Sequence, residues 1–181
     1  VNFPELGPVS VAGQRFSSPD VDASNVLLDQ STPPHYVNLI ANSGFESGLG
    51  GWTVNAGSAV KTGAPAAYQG SQYFSAGSSE QGFAEQSINL VNAGFAAAEI
   101  DGGLLDLAFG GRVRAASEAP RDAGTVSLIF LDAVGQEIRR QAVKALNADG
   151  RWELVGDRVT APAGARFAVL RFDAARNWQL V

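Results

Sequence analysis

Few side chains in this chain are of the kinds that carry out catalysis. The one histidine, His35, follows Pro33 and Pro34. A Ser-His-Asp triad needs a histidine held rigidly beside its nucleophile. His35 instead ends a proline-rich stretch, and no G-x-S-x-G turn is present. There is no cysteine, which removes thiolate chemistry, disulfides and cysteine-ligated zinc. The glycine-rich stretches carry no Walker lysine and no amphipathic helix after them. Carboxylates are the remaining means, with 18 Asp and Glu in the chain. A glycosidase needs two of them about 5–9.5 Å apart across a cleft. Most stand at turns here, as Asp132 and Asp149 do, where solvation is the ordinary role. The expectation is a protein that binds without catalysing.

Sugar recognition uses an exposed flat aromatic against the apolar face of a pyranose, edged by Asp, Asn, Gln or Arg. Tyr68, in a loop of small and polar residues, and Trp178, near the last residue, fit that role. Trp52 reads as core. Arg112 and Arg114 with Asp122 make either a pocket lining or a surface ion pair. The formal net charge is −5 and the only lysines are Lys61 and Lys144, which argues against a nucleic-acid backbone as partner and against anionic membranes; no nucleic acid is expected as partner. No apolar run of about 18 residues exists, so no membrane insertion is expected.

The elements that must position these residues are strands. Residues 1–35 hold five of the eight prolines, and proline fixes φ and removes a ladder donor. This stretch reads as an extended arm with short strand-like pieces at Val9–Ala12 and Asn25–Leu28. It is either a linker or an arm that packs on its own domain or adds a strand to a neighbour. The chain starts at Val1 with no initiator methionine and reads as a processed or excised segment. Residues 36–181 read as a single β-sandwich: short alternating runs separated by Gly, Asn, Asp and Pro. The expected strands are Tyr36–Ile40, Trp52–Val60, Ser71–Ser75, Ala84–Leu90, Leu104–Phe109, Thr125–Asp132, Glu137–Ala145, Trp152–Thr160, Arg166–Asp173 and Trp178–Val181. Thr125–Leu131 and Arg166–Phe172 are apolar on both faces, which predicts central strands. Val91–Ile100 is the one helical candidate, with Asn92 as N-cap.

The stretch Asn38-Leu39-Ile40-Ala41-Asn42-Ser43-Gly44-Phe45-Glu46-Ser47-Gly48-Leu49-Gly50-Gly51-Trp52 resembles the first strand and turn of galactose-binding-like jelly rolls, a fold of bacterial carbohydrate-binding modules. Tyr73-Phe74-Ser75, Gln86-Ser87-Ile88-Asn89-Leu90, Gly111-Arg112, Asp122-Ala123-Gly124 and Arg166–Phe172 are similar to the frame of F-box-associated sugar-recognition domains. The resemblance covers roughly residues 38–175. It implies an all-β fold: a two-sheet antiparallel jelly-roll sandwich with one short helix and an extended N-terminal arm. It implies a non-catalytic carbohydrate-binding module, extracellular or on a bacterial cell surface, whose partner is a glycan or polysaccharide. The site residues it implies are Asp122, in the loop acid's place, and Trp178, joined by Arg112 and Tyr68 from the reading above. It also implies a structural calcium held by Glu46 with Asp173. Two departures stand out: the stretch before Trp178 is shorter than the family's loop, and the closing strand is either Trp178–Val181 or supplied from elsewhere. The second feature, together with the arm, supports an alternative: a subunit of a surface assembly joined to other copies through residues 1–35.

Overall fold

The computed structural model describes residues 5–15 (backbone only), 38–77, 80–117, 122–146 and 149–176. Ten strands form two five-stranded antiparallel sheets. They are β1 (Glu5–Arg15), β2 (Thr53–Val54), β3 (Ala59–Thr62), β4 (Gln72–Ser75), β5 (Gln81–Asn89), β6 (Leu105–Arg114), β7 (Ala123–Leu131), β8 (Glu137–Lys144), β9 (Glu153–Thr160) and β10 (Phe167–Ala175), with one helix, α1 (Ala97–Asp101), between β5 and β6. The first sheet runs β3-β4-β1-β6-β9 and the second β2-β5-β10-β7-β8.

The pairing is nested. β7 and β8 form a tight hairpin, its turn fixed by the Asp132 carboxylate accepting from the N–H groups of Val134 and Gln136, each at 2.9 Å. Around it, β6 pairs β9 and β5 pairs β10. These rungs fall alternately in the second, first and second sheets. This is a long hairpin rolled into two layers, the jelly-roll arrangement. The next rung outward is β4, and its partner is β1.

Alternation sends one side of each strand into the space between the sheets. Leu105, Leu107, Phe109 and Val113 of β6 meet Val126, Leu128 and Phe130 of β7 and Ala168, Leu170 and Phe172 of β10 in a single core. One end is sealed by aromatics: Phe45 stacks on Trp52 at 4.8 Å between ring centroids, Phe74 lies 5.7 Å from Phe45, and Phe172 meets Phe74 edge-on at 6.1 Å. Asn42 holds the chain that delivers Phe45. Its side-chain N–H groups donate to the carbonyls of Gly48 and Gly50, and its oxygen accepts from the Ser47 N–H. Gly110 and Gly156 are register partners across β6 and β9, and a Cβ on either would run into the other strand's backbone.

The expected sandwich is present, and β7 and β10 are central strands as their two apolar faces require. Four details differ. Residues 5–15, where only Val9–Ala12 was expected as a strand-like piece of an arm, form β1, the middle strand of the first sheet, paired with β4 on one side and β6 on the other. Proline is accommodated there because the register shifts between Leu6 and Val9, the interruption that Pro8 demands. The run expected at Trp52–Val60 is broken into β2 and β3 by a turn, where the Ser58 N–H donates to the Asn55 carbonyl and Gly57 takes φ +88°. The strand expected at Tyr36–Ile40 is reduced, within the described residues, to a single bridge at Asn38. The helix starts at Ala97 and not after Asn92, because Asn89 captures the Asn92 N–H in a turn and Glu99 reaches back to the Ala96 N–H. Asn25–Leu28 and Trp178–Val181 lie outside the described residues.

Candidate functional site

On β10 the residues facing the core are Ala168, Leu170, Phe172 and Ala174, so Arg171 and Asp173 stand on the outer face of the second sheet. Register puts Glu85 of β5 opposite Arg171 and Phe83 opposite Asp173. The four side chains form one constellation. Arg171 Nη1 donates to Glu85 Oε2 at 2.7 Å, and its Nε donates to Asp173 Oδ1 at 2.8 Å. The guanidinium carbon lies 4.1 Å from the centre of the Phe83 ring, within cation–π range. Burial works against the charge on Arg171, but its hydrogen bonds to Asp173 and Glu85 outweigh that cost and raise its pKa further above the ordinary value. Nη2 makes no hydrogen bond among the described residues.

Phe83, Arg171 and Asp173 of this constellation line a hollow of about 510 Å³ with Asn55, Gln81, Gly82, Ala174 and Ala175, while Glu85 holds Arg171 from outside that lining. The Asn55 carbonyl oxygen accepts from the Phe83 N–H at 2.7 Å, which ties the β2–β3 turn to its rim. Arg171, Glu85 and Asp173 are 27%, 29% and 38% exposed, so they are reachable from solvent yet fixed by one another. Arg140 is a register neighbour of Ile129 on the same outer face. Its hydrogen bond to Glu137 leads in raising its pKa, with Asp173 and Glu85 adding a smaller electrostatic pull.

The outer face of the first sheet carries a second cluster. The loop between β3 and β4 crosses the sheet to the far side. Trp152 Nε1 donates to the Ala66 carbonyl at 3.0 Å, the Arg112 guanidinium lies 4.2 Å from the centre of the Tyr68 ring, and Tyr73 meets Trp152 edge-on. Glu46 pins the end of this loop. Its carboxylate accepts from the N–H groups of Ser71 and Gln72 and from the Ser71 hydroxyl. The hydroxyl contributes most to holding the Glu46 carboxyl below its usual pKa, with the two backbone N–H groups next. Gly70 takes φ +71° beside it, and a Cβ there would collide with that carboxylate.

The structure thus brings two of the four expected ligand residues together, Arg112 and Tyr68. Asp122 is buried at the entry to β7, only 4% exposed. Trp178 and His35 lie outside the described residues. Trp52 is core, at 8% exposure, with its Nε1 donating to the Asn42 carbonyl. The calcium expectation does not fit the donor set. A hard cation takes about six or more oxygens. Both Glu46 oxygens already accept from three donors, and Asp173 belongs to Arg171 on the other sheet. Among the described residues, no three of His, Cys, Asp and Glu are grouped to hold a metal. Phe83, Glu85 and Arg171 went unread as site residues, although their alternation with core residues was the available signal. Asp173 was singled out, but for a different chemistry.

No family model matches the chain, and no curated protein does either. Among solved structures, it is similar to the C-terminal family 22 carbohydrate-binding module of Clostridium thermocellum Xyn10B, with 16% identity and a TM-score of 0.45 over 74% of this chain and 80% of that one. It is similar to the N-terminal Xyn10B segment of the same organism, which joins a family 22 module to its xylanase module and was solved with xylohexaose: 15% identity and a TM-score of 0.46, over 72% of this chain and 26% of that one. TmCBM61, in complex with β-1,4-galactotriose, matches at 13% identity and a TM-score of 0.37, over 78% of this chain and 89% of that one. An enzymatically active domain of the bacteriophage CBA120 tailspike protein 4 also matches, at 13% identity and a TM-score of 0.41, over 77% of this chain and 19% of that one.

Proposed function

We propose that the chain is a non-catalytic carbohydrate-binding module and that the hollow at Phe83 and Arg171 is its binding site. One observation carries this reading: the hollow joins an aromatic face, the Asp173 carboxylate and a guanidinium fixed by Asp173 and by Glu85 beside the hollow, on the outside of one sheet. A sugar presents a ring face of C–H groups and hydroxyls that both donate and accept. The hollow answers each, with Phe83 for the ring face, Arg171 Nη2 as donor and Asp173 as acceptor. A phosphate ester would meet the Asp173 carboxylate and a cation already paired with two carboxylates, and a purely apolar ligand would leave the polar groups dry and unpaired. Arg171 is planar and held on two sides, so its donors need no ordering when a ligand arrives.

The test is a glycan array with the whole chain, followed by calorimetry on the best binder. Phe83→Ala should weaken binding about tenfold, the factor given by about 1.4 kcal/mol of lost contact. Arg171→Lys should weaken it comparably, because an ammonium cannot stack on Phe83 while forking between Glu85 and Asp173. Thermal melts of both variants check that the sandwich stays folded. Absence of any glycan binder overturns the reading. Unchanged affinity in Phe83→Ala and Arg171→Lys, with loss in Tyr68→Ala, overturns the location.

A further inference from the structure

The rung that closes the first sheet has an unusual source. The nest of pairs runs from β7–β8 through β6–β9 and β5–β10 to β4. Continuing it would place the strand after β10 beside β4. That place, between β4 and β6, is filled from the opposite end of the chain by β1. β1 is therefore joined to neither of its partners by a hairpin. Its covalent link to the rest of the sandwich is the segment 16–37, which reaches Asn38.

The ladder is long and leaves little choice about occupancy. β1 meets β6 from Glu5↔Arg114 to Arg15↔Leu105, and meets β4 at Glu5↔Ser75 and Leu6↔Phe74. Without it, β4 and β6 would present two rows of unpaired backbone groups to each other in mid-sheet, which is costly. Some strand must fill the slot, but the pairing does not specify which copy supplies it. The same residues form the same ladder whether β1 comes from its own chain or from another. The two states differ in linker entropy, and that grows only slowly with linker length. The segment 16–37 can bridge up to roughly 75 Å when extended, several times the ~10 Å spacing between packed sheets. Reaching a neighbouring molecule is therefore within its covalent limit.

We propose that β1 is an exchangeable closing strand, and that copies of this chain join by placing the β1 of one in the β4–β6 slot of the next. Reciprocal exchange gives a closed pair, and head-to-tail exchange gives an open chain of subunits. Both states share one set of contacts, so assembly is set by concentration and not by a separate adhesive patch. The sugar hollow lies on the other sheet and takes no part.

The absence of native cysteine makes the test clean. Ala12 and Ala108 are register partners across β1 and β6. The full-length double variant Ala12→Cys/Ala108→Cys should close a disulfide within one chain, seen as a mobility shift under non-reducing conditions. Full-length single variants, Ala12→Cys and Ala108→Cys, are then mixed at about millimolar concentration, the effective concentration typical of short linkers, and oxidised. Exchange gives a covalent heterodimer containing one of each, identified by giving the two chains different masses. Failure of the double variant to close overturns the placement of β1. Closure in the double variant without any heterodimer from the mixture overturns exchange.

Discussion

The aromatic seal makes a quantitative demand at Phe45. This side chain is fully buried, stacked on Trp52 at 4.8 Å and tilted against Phe74 at 5.7 Å. Its backbone sits at φ +61°, a region that L-residues avoid because Cβ crowds the neighbouring carbonyl. Two terms of opposite sign follow. Phe45→Ala removes the ring and should destabilise the fold by about 3–5 kcal/mol, including roughly 0.5–1.5 kcal/mol of ring-ring contact. For a chain of this size that lowers the melting midpoint by about 6–20 °C. Phe45→Gly loses the same ring and also relieves the positive φ, worth about 1–2 kcal/mol, against an extra backbone entropy cost of about 0.5–1 kcal/mol. Glycine is ordinarily the worse replacement; here it should equal alanine or exceed it in stability by up to about 1.5 kcal/mol. Urea unfolding followed by tryptophan fluorescence reads both, since Trp52 lies directly against residue 45. A cost below about 1 kcal/mol for Phe45→Ala would falsify the seal. A glycine variant less stable than the alanine variant by about 1 kcal/mol would refute the claim of backbone strain.

Two further outcomes concern carboxylates whose folded pKa is depressed, so each supports the fold above its unfolded pKa and loses that support as pH falls. Asp101 is lowered to about 2 from 3.8, first by the Arg166 hydrogen bonds and then by the Gly164 N–H; the stability advantage of wild type over Asp101→Asn should shrink as pH falls from about 4 to about 2, measured as unfolding midpoints across that window. Glu46 is lowered by Ser71 and Gln72, so Glu46→Gln at neutral pH should speed amide hydrogen exchange at residues 71 and 72 several-fold while leaving β7 and β10 unchanged. Equal exchange in variant and wild type would show that the loop does not depend on this carboxylate.

Much of the sandwich was legible because its strands advertise themselves locally. Val126, Leu128 and Phe130 on one face of β7, with Ser127 and Ile129 buried on the other, require a strand covered on both sides, and the structure puts it in mid-sheet. The Asp132–Gln136 and Pro162–Gly164 turns carry their own chemistry, so the β7–β8 and β9–β10 junctions could be placed from composition. The Asn42–Trp52 stretch was readable for a related reason: its glycines and asparagine allow only a tight path, and its two large aromatics must be buried somewhere. Even so, the role of Asn42 as the residue that ties that path together was not visible, because its partners are backbone groups.

The functional residues were harder to read for a physical reason. Phe83, Glu85, Arg171 and Asp173 come from two strands about 86 positions apart, as the Arg171–Glu85 contact shows, and only register makes them neighbours. In each strand they occupy the solvent side of an alternation whose core side holds all of the local pattern. A sequence reader sees Arg171 as an ordinary outward polar residue and Asp173 as a candidate metal ligand, and has no means of learning that Glu85 stands opposite Arg171. The same limit hid β1. Its one proline, Pro8, in a proline-rich stretch, marks it locally as irregular, and that reading is right as far as it goes, since the ladder does break at Pro8. What places it in mid-sheet is the vacancy between β4 and β6 left by the folding of the rest of the chain. That vacancy is a property of the nest, written in no single segment. Both features therefore follow from one cause: in this fold the decisive pairings join distant strands, so the site and the closing strand exist only once the roll is complete.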